Sequence, residues 1–430
     1  MADLTLRKLL KFWLPLAGTW LMMSLEGPFL AAIIARLADP KFNLAAYGVA
    51  FSLALIVEAP VIMMMTAATA LVRNAQSLSK LYRFTTLLNV VITGLMLLLI
   101  IPDIFYFITL DLIGLLPEVA RLTHIATIIL LPWPGAIGFR RFYQGILIRN
   151  HATRRVAYGT IIRLASMGST AFLLYLFSGW PGVYIGTTAL SAGVVMEALS
   201  ARVMVHRILK RIRFEEGAET GDRELTYPGI YKFYFPLALT SILTLGVHPL
   251  VTFFVGKSAM ALESLAVLPV VGSFVFLFRG MGISYQEAAI TLLGRSKAND
   301  RLVTRFAVFL GATLSSLLLV TAFTPLSTIW FSVVSGLTTE LTNLAKMPLM
   351  IMGLFPATSV LISFQRALLV KRDKTSPITG ATVTEVIGII LVLYLGVMHF
   401  SWVGAVAAVS AFMLGRLAAT LYLWYHLRAT

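Results

Sequence analysis

The sequence predicts an all-α polytopic membrane protein with 12 transmembrane helices, arranged as two parallel six-helix lobes related by pseudo-two-fold symmetry. Three observations predict it. Hydrophobic residues make up 58% of the 430-residue chain and charged residues 13%, where a soluble protein carries about 25% charged residues. The apolar residues gather into runs that fit bilayer spans of about 20 residues, and a helix satisfies its own backbone there. Finally, the chain is written twice. Lys11-Phe12-Trp13-Leu14-Pro15-Leu16-Ala17 returns as Lys232-Phe233-Tyr234-Phe235-Pro236-Leu237-Ala238, a shift of 221 residues. The same shift carries Thr19 to Thr240, Pro28 to Pro249, Gln144 to Gln365 and Gly159 to Gly380. A shift of 222 carries Arg83-Phe84 to Arg305-Phe306 and Trp180 to Trp402. Repeats of this kind in a membrane protein imply two lobes with a working site between them.

Apolar windows place the spans at 8–36, 43–72, 83–109, 118–147, 156–179, 182–208, 228–256, 262–293, 302–332, 338–368, 377–398 and 402–426. Basic residues then orient them. The amino end, the even-to-odd connections and the carboxyl end carry 22 Lys and Arg, and the opposite side carries 5: Arg36, Lys41, Arg121, Lys257 and Lys346. This bias puts both termini in the cytoplasm, and a prokaryotic-type inner (plasma) membrane is the expected setting. The polar stretch 209–227 is the one long linker, so the expected domains are 1–208 and 228–430. Six spans per half is an even number, which makes the repeats parallel. No cleavable signal peptide is expected, because the first apolar segment opens the repeat.

The net charge of +16 marks the cytoplasmic face of a membrane protein, not a nucleic-acid partner. Cysteine is absent, which excludes disulfides and thiol chemistry. The six histidines are scattered, with no metal-ligand spacing. No hydrolase, nucleotide-binding or calcium-loop motif is present, so neither enzymatic activity nor a cofactor is expected.

The informative residues are ionisable groups inside apolar runs, each costing about 2.5–3.5 kcal/mol at the bilayer centre unless partnered or hydrated. Glu26 sits mid-span beside Pro28, which should kink the helix and free carbonyls. It is a candidate proton or sodium site, or else a protonated side chain bonding a neighbouring helix. The repeat-equivalent stretch Val247-His248-Pro249 keeps the proline and loses the acid; His248 is a candidate substrate contact or a helix-bonding residue. Glu58, just before Pro60, and Arg279 occupy nearly equivalent places in the halves, which predicts an acid and a base facing one another across the pseudo-axis. Arg140, Arg141 and Gln144 in the fourth span match Gln365 and Arg366 in the tenth. Their guanidinium groups suit carboxylate or phosphate, while Arg141 is expected to snorkel. Arg163 and Glu385 are near-equivalents; Glu197, Arg202 and Arg416 read as structural pairs, Glu287 as near the interface, and Met63-Met64-Met65 as packing.

Pro15-Leu16 and Pro236-Leu237 open the halves as in the multidrug/oligosaccharidyl-lipid/polysaccharide (MOP) exporter superfamily, which the chain resembles in a form like the multidrug and toxic compound extrusion (MATE) proteins. The 73–80 loop lacks the signature of the major facilitator group. Within the superfamily, the first-helix Leu14-Pro15-Leu16, the block Ala46-Tyr47-Gly48-Val49-Ala50-Phe51-Ser52-Leu53 and Lys232–Leu239 most resemble the progressive ankylosis protein family. That resemblance implies an exporter of small anions (citrate, pyrophosphate or nucleotides); with no nucleotide-binding motif and two like halves, the chain is expected to be a monomeric secondary-active transporter working by alternating access. Glu58, Arg279, His248, Arg140, Gln144, Gln365 and Arg366 would contact substrate, and Glu26 and Glu58 would serve a coupling proton or sodium ion. The alternatives are a proton- or sodium-coupled exporter of cationic drugs, a lipid-linked oligosaccharide flippase and a non-transporting membrane scaffold.

Overall fold

The computed structural model describes residues 5–214, 225–293, 297–372, 374 and 376–428, with the side chains of 214, 297 and 298 excepted. Residues 215–224 of the expected 209–227 linker lie outside the described residues, as do Arg223 and Arg295 of the basic set. Among the described residues, twelve helices are long and apolar enough to cross a membrane: α1 (Leu6–Ala35), α2 (Pro40–Leu71), α3 (Ala75–Leu99), α4 (Pro117–Arg149), α5 (Thr153–Phe177), α6 (Gly182–Arg213), α7 (Tyr227–Gly256), α8 (Ala261–Leu292), α9 (Asn299–Phe323), α10 (Thr339–Lys371), α11 (Ser376–His399) and α12 (Gly404–Arg428). Two expected spans are corrected. The third ends at Leu99 and the ninth at Phe323, not at 109 and 332. Pro102 and Pro325 lack the N–H that would continue each helix. The chain turns there into short segments, Pro102–Tyr106 with Phe107–Leu112 and Leu326–Thr328 with Ile329–Val334.

The repeat survives in the backbone. α1 breaks at Leu25, whose N–H is shared between the Leu21 and Met22 carbonyls, and α7 breaks at Gly246, the residue 221 further on. Pro28 and Pro249 lie three residues past each break and cannot donate to the Ser24 and Leu245 carbonyls. α4 is interrupted between Ile129 and Trp133, and α10 between Ile351 and Phe355. The π-helical turns Phe107–Leu112 and Ile329–Val334 both end on a glycine at positive φ, Gly114 (84°) and Gly336 (73°). The same bonds close both ends: Leu115 N–H donates to the Thr109 carbonyl and Leu337 N–H to the Phe331 carbonyl, each at 2.9 Å. Not every element is shared: the π-helical turn Tyr394–His399 that ends α11 has no counterpart in α5, which is α-helical to Phe177. Pro60 ends the first part of α2 in a 3₁₀ turn, Ala59–Val61, while α8 carries Met281 at the matching position and runs unbroken.

Packing divides the chain into two compact units, Met1–Gly48 with Leu250–Thr430, and Val49–Pro249. The repeats in sequence were expected at 1–208 and 228–430; the compact units exchange their opening helices. In the first unit, Leu9, Trp13 and Ala17 form an i, i+4 stripe of α1 buried against α8 and α9. Trp13 donates its indole N–H to Ser284 Oγ at 2.9 Å and meets the Phe306 ring edge-on at 5.4 Å. Gly27 sits so close to α8 that a Cβ would fall 2.6 Å from Ser273 Cβ, the small-residue contact by which membrane helices approach. In the second unit, Ile230 and Tyr234 of α7 join the core of α2, α3, α4 and α6. Tyr234 donates its hydroxyl to the Pro60 carbonyl and meets Phe84 edge-on at 5.3 Å. Trp13 and Tyr234 are repeat equivalents, as are Phe306 and Phe84, so the exchange is reciprocal.

Candidate functional site

Each unit buries a polar cluster built on the second segment of its interrupted helix. In the unit containing α4, the segment Trp133–Arg149 carries Trp133, Arg140 and Gln144, spaced so that all three share a face. Glu197 of α6 is the hub. It is 2% exposed, accepts from Arg140 Nη1 and from Gln144 Nε2 (3.0 Å), and lies 3.6 Å from Arg163 Nη1 of α5. Gly193, one turn before Glu197, lets α6 approach α5 closely: a Cβ there would meet the Arg163 carbonyl at 3.1 Å. Glu58, also buried, accepts the indole N–H of Trp133. Its position at the end of the first part of α2, where Pro60 ends the α-helix, aims it toward the start of the second segment of α4.

In the other unit, the segment Phe355–Lys371 carries Phe355, Gln365 and Arg366. Arg279 of α8 and Arg416 of α12 both lie over the Phe355 ring, 5.3 and 5.1 Å from its centroid. Arg416 Nε donates to Glu385 Oε1 of α11 at 2.8 Å. Arg366 Nη2 reaches Thr382 Oγ1 at 3.5 Å, and Gln365 Nε2 donates to the Thr420 carbonyl at 3.1 Å. Arg279 and Arg366 each bury an Nε with no hydrogen-bond partner among the described residues.

The clusters are repeat equivalents with the charges inverted. Arg163 on α5 pairs with Glu197 on α6, whereas Glu385 on α11 pairs with Arg416 on α12. Glu58 rests on Trp133, and its equivalent Arg279 rests on Phe355, the equivalent of Trp133. The aromatic partner suits the sign: indole offers an N–H to a carboxylate, and a phenyl face attracts a guanidinium.

The structure places the other expected residues as follows. Glu26 is buried directly after the α1 break, in the unit with α8–α12, and His248 is exposed in α7 after Gly246. Glu58, His248, Arg140 and Gln144 therefore belong to one unit, and Glu26, Arg279, Gln365 and Arg366 to the other. Three expectations from sequence are corrected. Arg141 does not snorkel: its Nη1 lies 3.8 Å from Met65 Sδ and its Nε is buried. Met65 is accordingly more than packing. Arg202 is in no ion pair among the described residues; its guanidinium lies 5.7 Å from the Tyr143 ring centroid. Glu197, Trp133 and Phe355 are members that sequence reasoning left out of the site. The available signal was the Arg163–Glu385 equivalence, which implies partners of opposite sign on the neighbouring helices.

No family model and no curated protein matches the chain. Solved structures do. An inward-facing multidrug resistance MATE family transporter of the MOP superfamily aligns with a TM-score of 0.74 at 14% identity, covering 94% of this chain and 94% of that one. Lipid II flippase MurJ in an inward closed conformation aligns at 0.73 and 15% identity, covering 96% and 87%. The Vibrio cholerae MATE transporter VcmN in the bent form aligns at 0.54 and 15% identity, covering 98% of each chain. The fold is thus MATE-like: all-α, multi-pass and membrane-spanning. The resemblance to the progressive ankylosis family gains no support, since these similar structures are MATE transporters and MurJ.

Proposed function

We propose that this protein is a secondary-active transporter that exports small organic or phosphate-bearing anions of the citrate, pyrophosphate or nucleotide class by alternating access. The observation that carries this reading is the sign of the buried charge. The two clusters hold six guanidinium groups, on Arg140, Arg141, Arg163, Arg279, Arg366 and Arg416, against the carboxylates of Glu58, Glu197 and Glu385, with Glu26 a fourth. Arg140, Arg141, Arg279 and Arg366 each bury an Nε donor with no acceptor among the described residues. A buried donor of that kind costs about 1–3 kcal/mol unless something accepts from it, and a carboxylate or phosphate would do so in bidentate fashion. Glu58, Arg279, His248, Arg140, Gln144, Gln365 and Arg366 contact the substrate in this reading. Glu26 and Glu58 take up the coupling proton or sodium ion, with the protein a monomer in the inner membrane and both termini cytoplasmic. The exporter of cationic drugs would call for an acid-dominated lining, which the arginine excess opposes. Flipping of an anionic lipid-linked sugar is the second reading, favoured by the likeness to MurJ and by the same guanidinium groups.

The test is uptake by proteoliposomes of citrate, pyrophosphate, ATP and a cationic dye under imposed proton or sodium gradients. Gradient-driven movement of an anion, lost in Glu58→Ala and Arg279→Ala, is expected. Dye transport without anion transport overturns the proposal.

A further inference from the structure

Away from both clusters, a cleft of about 350 Å³ opens in the unit Val49–Pro249 between the start of α3, the last turns of α4 and the end of α6. Its cationic wall is Arg202 and Arg213 of α6, and Ser79 and Tyr82 of α3 line it together with Tyr143 of α4. Among the described residues, no acidic side chain lines it. Arg202 lies over the Tyr143 ring, is exposed, and has no carboxylate partner among the described residues. These features define a seat for an anion with an apolar attachment, because the aromatic rings supply a wall and the guanidinium groups supply the charge.

The position along α6 identifies what reaches it. Helical residues 182–214 number 33, about 50 Å at 1.5 Å per residue, against a hydrocarbon layer of about 30 Å. Trp180, exposed just before Gly182, suits the interface at the opposite end. Counted from Gly182, about 20 residues cross the hydrocarbon, which ends near Arg202. The stretch from Arg202 to Arg213 then lies at headgroup level, as do Arg73 before α3 and the helix-end residues Lys80, Arg149 and Arg154. Further along the same two helices toward the hydrocarbon, Leu199 of α6 and Leu87 and Val90 of α3 are exposed apolar side chains, as is Val203 beside Arg202, and these suit acyl chains.

We propose that this cleft is a binding site for an anionic phospholipid, its phosphate held by Arg202 and Arg213 with Tyr82 and Tyr143 beside it. The site is separate from the transport reading, and its test does not involve transport. The full-length protein in detergent is stripped of lipid and titrated with phosphatidylglycerol, phosphatidylcholine and inorganic phosphate, with bound molecules counted by native mass spectrometry. Phosphatidylglycerol binds in preference to phosphatidylcholine, and R202Q/R213Q weakens it about 30-fold, taking each basic residue at the usual strength toward an anionic headgroup. R154Q/R207Q removes the same charge outside the cleft and leaves binding unchanged. Ser79→Asp, at an exposed position, reports on the site independently should the double variant fold poorly, and it too abolishes preferential binding. Equal loss in both double variants overturns the proposal in favour of diffuse surface attraction. Displacement of phosphatidylglycerol by millimolar inorganic phosphate overturns the lipid assignment and makes the cleft a site for free phosphate.

Discussion

Glu197 holds three polar side chains of two neighbouring helices in place, and it is almost wholly removed from solvent. Burying such a group costs several kcal/mol of hydration, offset only while its partners remain. Removing the carboxylate leaves two guanidinium groups without a counter-charge. Glu197→Ala should therefore lower the unfolding free energy by about 3–5 kcal/mol, read from denaturant unfolding in detergent. Glu197→Gln should cost less, because its amide oxygen still accepts from Gln144. The inverted pair offers a sharper comparison. Arg416→Glu alone sets two acids side by side, whereas Arg416→Glu with Glu385→Arg restores opposite signs and should melt closer to the parent than either single change. Glu58→Gln preserves the acceptor for Trp133 while removing the charge, so it separates structure from function. Its melting temperature should stay near the parent value while transport in proteoliposomes falls about tenfold to a hundredfold, the worth of one charged hydrogen bond. Unchanged transport would remove Glu58 from the proposed site. The ionisable members were legible in the sequence because each stands out in an apolar run. Their aromatic partners were not: Trp and Phe are ordinary span residues, and nothing in the chain states which turn of α4 meets which turn of α2.

Helix interruptions were half legible. Proline marked the breaks in α1 and α7, and the matching prolines Pro28 and Pro249 gave their common position. The ends of α3 and α9 were placed too late because the apolar run continues past Pro102 and Pro325, and hydropathy does not register the missing donor. The backbone pattern is better kept than the residues that form it. Positive φ recurs at Asp39 (50°) and Met260 (53°), at Gly114 and Gly336, and at Gly179 (62°) and Ser401 (51°). Ser401 closes α11 as Gly336 closes its own π-helical turn, with Trp402 N–H on the Gly396 carbonyl at 2.8 Å. A side chain in the left-handed region costs about 1–2 kcal/mol, and glycine is the usual residue at that position of the motif. Ser401→Gly should therefore stabilise the protein by up to about 1 kcal/mol once the extra unfolded-state entropy of glycine is subtracted. A rise in melting temperature in detergent checks it. A fall would mean that the Ser401 side chain makes a contact worth more than the strain.

The repeat was legible in the sequence, and the exchange of opening helices was not. A shift of 221 or 222 residues pairs Trp13 with Tyr234 and Phe84 with Phe306, but those pairings are satisfied equally if each opening helix packs within its own half. The choice is made by contacts that no shift encodes: Trp13 on Ser284, Gly27 against Ser273, and Tyr234 on the carbonyl of Pro60. Each compact unit consequently draws chain from both halves. A half-chain ending near residue 220 contains α2–α6 without α7, leaving the groove filled by Ile230 and Tyr234 open, and it carries an α1 with nothing to receive Leu9 and Trp13. The other half-chain is deficient in the reciprocal way. Expressed alone in membranes, each half should be degraded quickly and be open to protease throughout. Expressed together from separate genes, they should purify as one complex with the melting behaviour of the intact chain, and Trp13→Ala together with Tyr234→Ala should weaken that association more than equivalent changes at lipid-facing positions such as Leu87 and Phe172. A protease-resistant half produced on its own would show that the exchange is dispensable, and that each set of six helices completes its own core.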